Sequence, residues 1–160
     1  MTPNRHGSAV IEFPNELEVV ITRQFDAPRA LVFDVLTNPE HVSRWGATPP
    51  DRMTECSIDL RVGGEYRSSF VIEDGTVFSI HGTYLEVEPP FRTVQTWHFN
   101  GWPDVEAVES MELHETDGVT TLAWRLAFRD QAGRDHMTRF DGQQASLDAM
   151  DDILRSLAET

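Results

Sequence analysis

Between residues 56 and 128 apolar side chains recur at every second position. The runs are cut at short intervals by Gly63-Gly64, Asp74-Gly75, Pro89-Pro90 and Asp117-Gly118. A period of two punctuated by turn-forming pairs predicts strands joined as hairpins. The clearest run sets Leu122, Trp124, Leu126 and Phe128 on one face against Thr121, Ala123, Arg125 and Ala127 on the other. The spacing then changes to steps of three and four through Met137, Phe140, Gln144, Leu147, Met150, Leu154 and Leu157. That stripe predicts one long amphipathic C-terminal helix. Hairpin-joined strands followed by a single amphipathic helix can bury themselves in few ways. The expected fold is α+β, a curved antiparallel sheet with the helix covering one face.

The remaining elements fit this plan. Residues 1–15 are polar and aperiodic and read as a flexible arm, leaving one domain over residues 16–160. Leu17, Val19, Ile21 and Phe25 alternate as a half-buried strand. "DAPRALVFDVL" then offers Asp26 as a helix cap and Pro28 in the first turn, and "TNPEHVSRW" offers Asn38 as cap with Pro39 at the first helical position. About seven strands, two short helices after the first of them, and one long terminal helix are expected. Phe78 and Ile80 differ in parity from Leu85 and Val87, and a bulge at Gly82 would reconcile them.

Composition removes several function classes. The chain carries 13 basic and 27 acidic residues, a net charge of -14, which repels phosphate backbones and argues against nucleic-acid binding. All the basic residues are arginine, so no lysine Schiff base can form. The lone Cys56 forbids an internal disulfide and any Cys-paired zinc site. No apolar run reaches the ~18–20 residues needed to cross a bilayer, and no signal-peptide pattern opens the chain, so a cytoplasmic location is expected. There is no G-x-S-x-G elbow, and "IDLRVGGEYR" lacks the spacing of a phosphate loop. Its Gly63-Gly64 pair reads as a turn, and Asp59 with Arg61 as a structural ion pair.

Order and motifs together resemble the START-like, or SRPBCC, superfamily with its helix-grip fold. The branch is similar to the activator of the heat-shock protein 90 ATPase. The residues that carry the resemblance are "ITRQFDAPRALVFDVLTNPEHVSRW", "DLRVGGEYR", "GTVFSIHGTYLEVEPPFRTVQTW", "GVTTLAWRL" and "DGQQASLDAMDDIL". One departure is at Gly142, followed here by Gln143 and Gln144 where such proteins usually place an aromatic. The resemblance implies a cavity between sheet and helix, and a superfamily that includes lipid carriers, hormone receptors, cyclases and co-chaperones.

The aromatic residues point to the same hollow. Trp45, Tyr66, Phe70, Phe78, Trp97, Trp124 and Phe140 come from different elements toward one interior. With Phe33, Cys56, Ile80, Tyr84, Met111, Met137, Gln144 and Leu147 they form the expected lining, and Trp102-Pro103 would flank its mouth. Among the histidines only His81, beside the expected bulge, is kept as a lining candidate. His98 and His114 fall on the outer parity. Tyr66, Tyr84, His81, Arg23 and Gln144 are the polar groups that proton transfer in such a cavity would need. The first expectation is a non-catalytic binder of a small hydrophobic molecule, in a stress or regulatory role, with no catalytic residue, metal or cofactor. The alternatives are a co-chaperone partnered by a heat-shock ATPase, and a cyclase- or hydrolase-type enzyme using the same cavity. No membrane insertion is expected, and the outer sheet face permits a monomer or a homodimer.

Overall fold

The computed structural model describes residues 5–47, 49–102, 105–138 and 143–158. Eight strands form one sheet: β1 (Val10–Glu12), β2 (Glu18–Phe25), β3 (Arg52–Ile58), β4 (Glu65–Val71), β5 (Val77–Glu88), β6 (Arg92–Phe99), β7 (Glu106–Thr116) and β8 (Val119–Phe128). The helices are α1 (Arg29–Thr37), α2 (Pro39–Trp45), α3 (Gln131–Met137) and α4 (Gln143–Ala158). The strand order is β1-β2-β8-β7-β6-β5-β4-β3, every neighbour antiparallel. The hairpins run in sequence from β3 to β8, and β2 returns along β8 with Ile21 opposite Trp124. This is the expected α+β helix-grip architecture.

Side-chain alternation decides which face is buried. Val19, Ile21 and Phe25 of β2 join Leu122, Leu126 and Phe128 of β8 in the core, where Val32, Val35 and Leu36 of α1 and Leu147, Met150, Ile153 and Leu154 of α4 meet them. Asn38 caps α2, accepting from the Glu40 N–H at 3.0 Å, with Pro39 at the first helical position as expected. Asp26 does not cap α1, whose N-cap is Pro28 with no side-chain bond. Asp26 instead pairs with Arg5 at 2.9 Å.

Three further features differ from the sequence reading. First, the stretch read as an arm carries β1, paired to β2 through Val10↔Thr22 and Glu12↔Val20. Second, the helical stripe begins in a separate helix. The Asp130 side chain caps α3 by accepting from Gly133 N–H at 2.7 Å, so Met137 ends α3 and does not belong to α4. Third, the register of β5 against β6 slips between Tyr84 and Glu86, not at Gly82. Phe78, Ile80, Gly82 and Tyr84 therefore keep one parity, and Leu85 is left exposed on the other.

Gly82 is small for another reason. It lies directly opposite Tyr66, and a Cβ there would sit 2.8 Å from the Tyr66 ring and collide with the Thr96 carbonyl. The Tyr66 ring occupies that space and donates its hydroxyl to Thr96 O at 2.7 Å. The Gly63-Gly64 turn is as expected: Gly63 adopts φ +84°, and the two glycines exchange backbone bonds with Tyr84. Arg61 and Asp59 pair at 2.9 Å in solvent.

Candidate functional site

A cavity of about 160 Å³ lies on the inner face of the sheet. Its floor is built by alternation. Tyr66, Ser68 and Phe70 come from β4, Ile80 and Tyr84 from β5, Thr93, Gln95 and Trp97 from β6, Glu109 and Met111 from β7, and Trp124 from β8. The roof is the α1–α2 corner, contributing Leu36, Thr37, Val42, Trp45 and Gly46, with Met53 and Ile58 of β3 alongside. The long helix was expected to cover the hollow, but Ser146 is the one α4 residue on its wall. The apolar stripe of α4 is already committed to the main core, beside α1 and α2.

Across the middle of the floor runs a polar row. Tyr84 faces Gln95, and Gln95 faces Glu109, as directly paired residues on three adjacent strands. Gln95 Nε2 donates to Glu109 Oε1 at 2.8 Å. Trp124, two residues along β8 from Leu126, the partner of Glu109, donates its indole N–H to Glu109 Oε2 at 2.8 Å. Glu109 and Gln95 are only 6% and 5% exposed, and Gln95 Oε1 has no hydrogen-bond partner. Burial pushes the Glu109 carboxyl above the usual carboxylate range, while the bonds from Gln95 and Trp124 pull it partly back. Burial, with the nearby Glu109 charge, also raises the Tyr66 and Tyr84 phenols, so both remain protonated donors. The site thus combines aromatic walls with a single carboxyl group.

Of the residues expected to line a cavity, Trp45, Tyr66, Phe70, Ile80, Tyr84, Trp97, Met111 and Trp124 meet on this wall. Others are placed elsewhere. Phe33 is buried under α1 in a crevice with Thr93, Met111 and Leu113. Cys56 faces a groove between α2 and β3, its thiol raised by burial. The Phe78 ring packs between Phe70 and Phe99 at 6.0 and 5.4 Å. His81 projects from the outer face and stacks on His98 at 5.2 Å, because the regular register through Gly82 leaves it on the odd parity. Leu147 is in the core cluster, and Met137 packs against it. Gln144 is spent on the backbone of Ala9, donating to its carbonyl at 2.8 Å and accepting from its N–H at 3.2 Å. Trp102 packs edge-on against His136 at 4.0 Å, away from the cavity. Phe140, Gly142 and Pro103 lie outside the described residues.

Arg23 is on the inner face but not in the cavity. Its buried guanidinium sits 3.2 Å from Asp148 and 3.6 Å from Asp151, and donates to the Arg5 carbonyl and Ser8 Oγ. Glu109 and Gln95 are the functional candidates that the sequence reading missed. Glu109 shares the parity of Met111 and Leu113, so an acidic residue on an inward position was the available signal.

A curved antiparallel sheet with a terminal helix and an inner-face cavity defines a START-like protein. The family described as "Activator of Hsp90 ATPase homolog 1-like protein" matches residues 26–155, and the chain belongs to that family. A Rhodobacter sphaeroides crystal structure superposes with a TM-score of 0.83 at 21% identity, covering 93% of this chain and 99% of the other. The Nitrosomonas europaea protein NE0264 superposes with a TM-score of 0.78 at 25% identity, covering 91% and 98%. The Schizosaccharomyces pombe uncharacterized protein C1711.08 is 28% identical over 117 residues, 72% of this chain. The chain spans 31% of the length of that relative.

Proposed function

We propose that the protein binds a small, largely apolar molecule in the inner-face cavity and does so without catalysis, in a regulatory or stress-linked role in the cytoplasm. The observation that carries this reading is a space of about 160 Å³ ringed by Trp45, Tyr66, Tyr84, Trp97 and Trp124. An apolar cavity of ~150 Å³ accommodates benzene, so the occupant is of single-ring size, well below the ~300–1,000 Å³ of drug-sized sites. Family membership supports the reading in general terms. The free thiol of Cys56 suits a reducing compartment.

Toluene titrated into the purified protein tests it. Saturation at a hundred times Kd should raise stability by about 2.7 kcal/mol, seen as a higher Tm, with a change in tryptophan emission. An unchanged Tm and emission up to the solubility limit of toluene would reject the reading. Native mass spectrometry of the protein as purified would reveal a co-purified occupant directly.

The family description favours a second reading, docking on a heat-shock ATPase. Adding the protein to such an ATPase should then raise its turnover, and no change in rate would discard this alternative.

A further inference from the structure

Glu109 is a buried carboxyl group without a counter-ion. Its two hydrogen bonds come from neutral donors, Gln95 and Trp124, and no arginine or histidine among the described residues pairs with it. Removing a carboxylate from water costs several kcal/mol unless a cation offsets it. Beside it, Gln95 Oε1 is a buried acceptor with no donor, at the wall of the same cavity. An ionised carboxylate has about four acceptor positions, and two remain open on Glu109. The cavity therefore offers several acceptors in one place, enclosed by the rings of Trp45, Tyr66, Tyr84, Trp97 and Trp124.

An ammonium group matches both parts. It has three donors and no acceptor, and aromatic faces attract cations. We propose that the cavity is a site for a small organic amine, bound as its cation, with the ammonium donating to Glu109 and to Gln95 Oε1 and a single ring or short apolar body among the surrounding aromatic side chains. The proposal rests on the cavity-binding reading above and names its ligand class. A neutral alcohol would supply one donor and leave the carboxylate without its cation. A carboxylate or phosphate ligand would add a second negative charge beside Glu109, in a chain that already carries a net charge of -14.

The protein could also satisfy these groups internally. Rotating the Gln95 amide by half a turn, with a proton on Glu109, would let the acid donate to Gln95 Oε1 and close the row without a ligand. This closure makes a competing outcome that experiment separates. The same geometry makes Glu109→Gln a tolerable substitution, since the introduced amide can donate to the rotated Gln95 and still accept from Trp124.

The test is calorimetric titration of the full chain with benzylamine, benzyl alcohol, toluene and benzoate, which share one ring. Benzylamine is expected to bind about tenfold or more tighter than benzyl alcohol, and benzoate not to bind. In Glu109→Gln the preference for amine over alcohol should disappear, read as the ratio of the two affinities within each protein. Equal or tighter binding of the alcohol to the native protein would overturn the amine assignment while leaving the cavity reading intact, as would an amine preference that survives Glu109→Gln. Failure of all four to bind would overturn both. The native-protein comparison needs no variant, so it decides the matter even where the substitution disturbs folding.

Discussion

Arg23 and Asp151 form an ion pair at 3.6 Å, with both side chains almost wholly withdrawn from solvent. The pair joins an inward position of β2 to the buried face of α4, and Asp148 reinforces it at 3.2 Å. Arg23→Met would strip the buried Asp151 carboxylate of its nearest cation, leaving His6 Nε2 at 3.9 Å, a change worth about 3–5 kcal/mol of destabilisation. Urea denaturation should show a lower midpoint with an unchanged slope. Replacing Arg23 and Asp151 together by apolar residues should recover much of the loss.

Stability should depend on pH through Glu109. Its carboxyl is raised in the folded protein by burial, so the folded state holds this proton over a pH range in which the unfolded chain has released it. The contribution is fully present below the ordinary glutamate range and is lost as pH rises through the raised folded value. Thermal unfolding from pH 4 to 8 should therefore show a downward component in Tm that is absent in Glu109→Gln. Parallel profiles for the two proteins would contradict this.

Gly82 is enforced by contact, with the Tyr66 ring 2.8 Å from where a Cβ would stand and the Thr96 carbonyl nearer still. Gly82→Ala must displace that ring and also shift the β6 backbone at Thr96. A loss of about 1–3 kcal/mol is expected in denaturant melts, together with weaker toluene binding. Gly75→Ala, at φ +90° with open space around it, should also lose stability through backbone strain but leave ligand affinity unchanged.

The segment around β1 is fastened to α4. Gly7 N–H reaches Asp148 at 3.0 Å, Gln144 clasps Ala9, and Arg5 N–H bonds Asp151 at 3.2 Å. Deleting residues 1–12 should cost about 2–4 kcal/mol and expose Arg23. Hydrogen exchange should accelerate first in β2 and the opening turns of α4, with the β5–β7 strands last to change.

Alternation made the sheet legible, because a buried face forces its register along every strand. It also supplied most of the cavity floor, from Tyr66 to Trp124. What it could not supply was the position of a one-residue slip. A change of parity between Ile80 and Leu85 fits a bulge anywhere in between, and Gly82 drew the choice although the ring of Tyr66 is what needs it. His81 was misplaced with it. The roof differs for a related reason: the stripe of α4 predicts a cover for the hollow, while the α1–α2 corner provides it. Glu109 was overlooked because acidic residues ordinarily face water. The docking of the segment before β2 depends on partners in α4 that no local pattern reveals.

The clasp between Arg23 and α4 also constrains the order of events during synthesis. The Arg23–Asp148 contact spans 125 residues of sequence. As the chain leaves the ribosome, β2 emerges with a charged group on the side that will become interior, and its acidic partners in α4 follow only 125 residues later. Hairpins from β3 to β8 can pair as they appear, but the closing contacts wait for α4. Until then, Arg23 has neither Asp148 nor Asp151 to meet, and β2 carries a charge without these partners on its inner side.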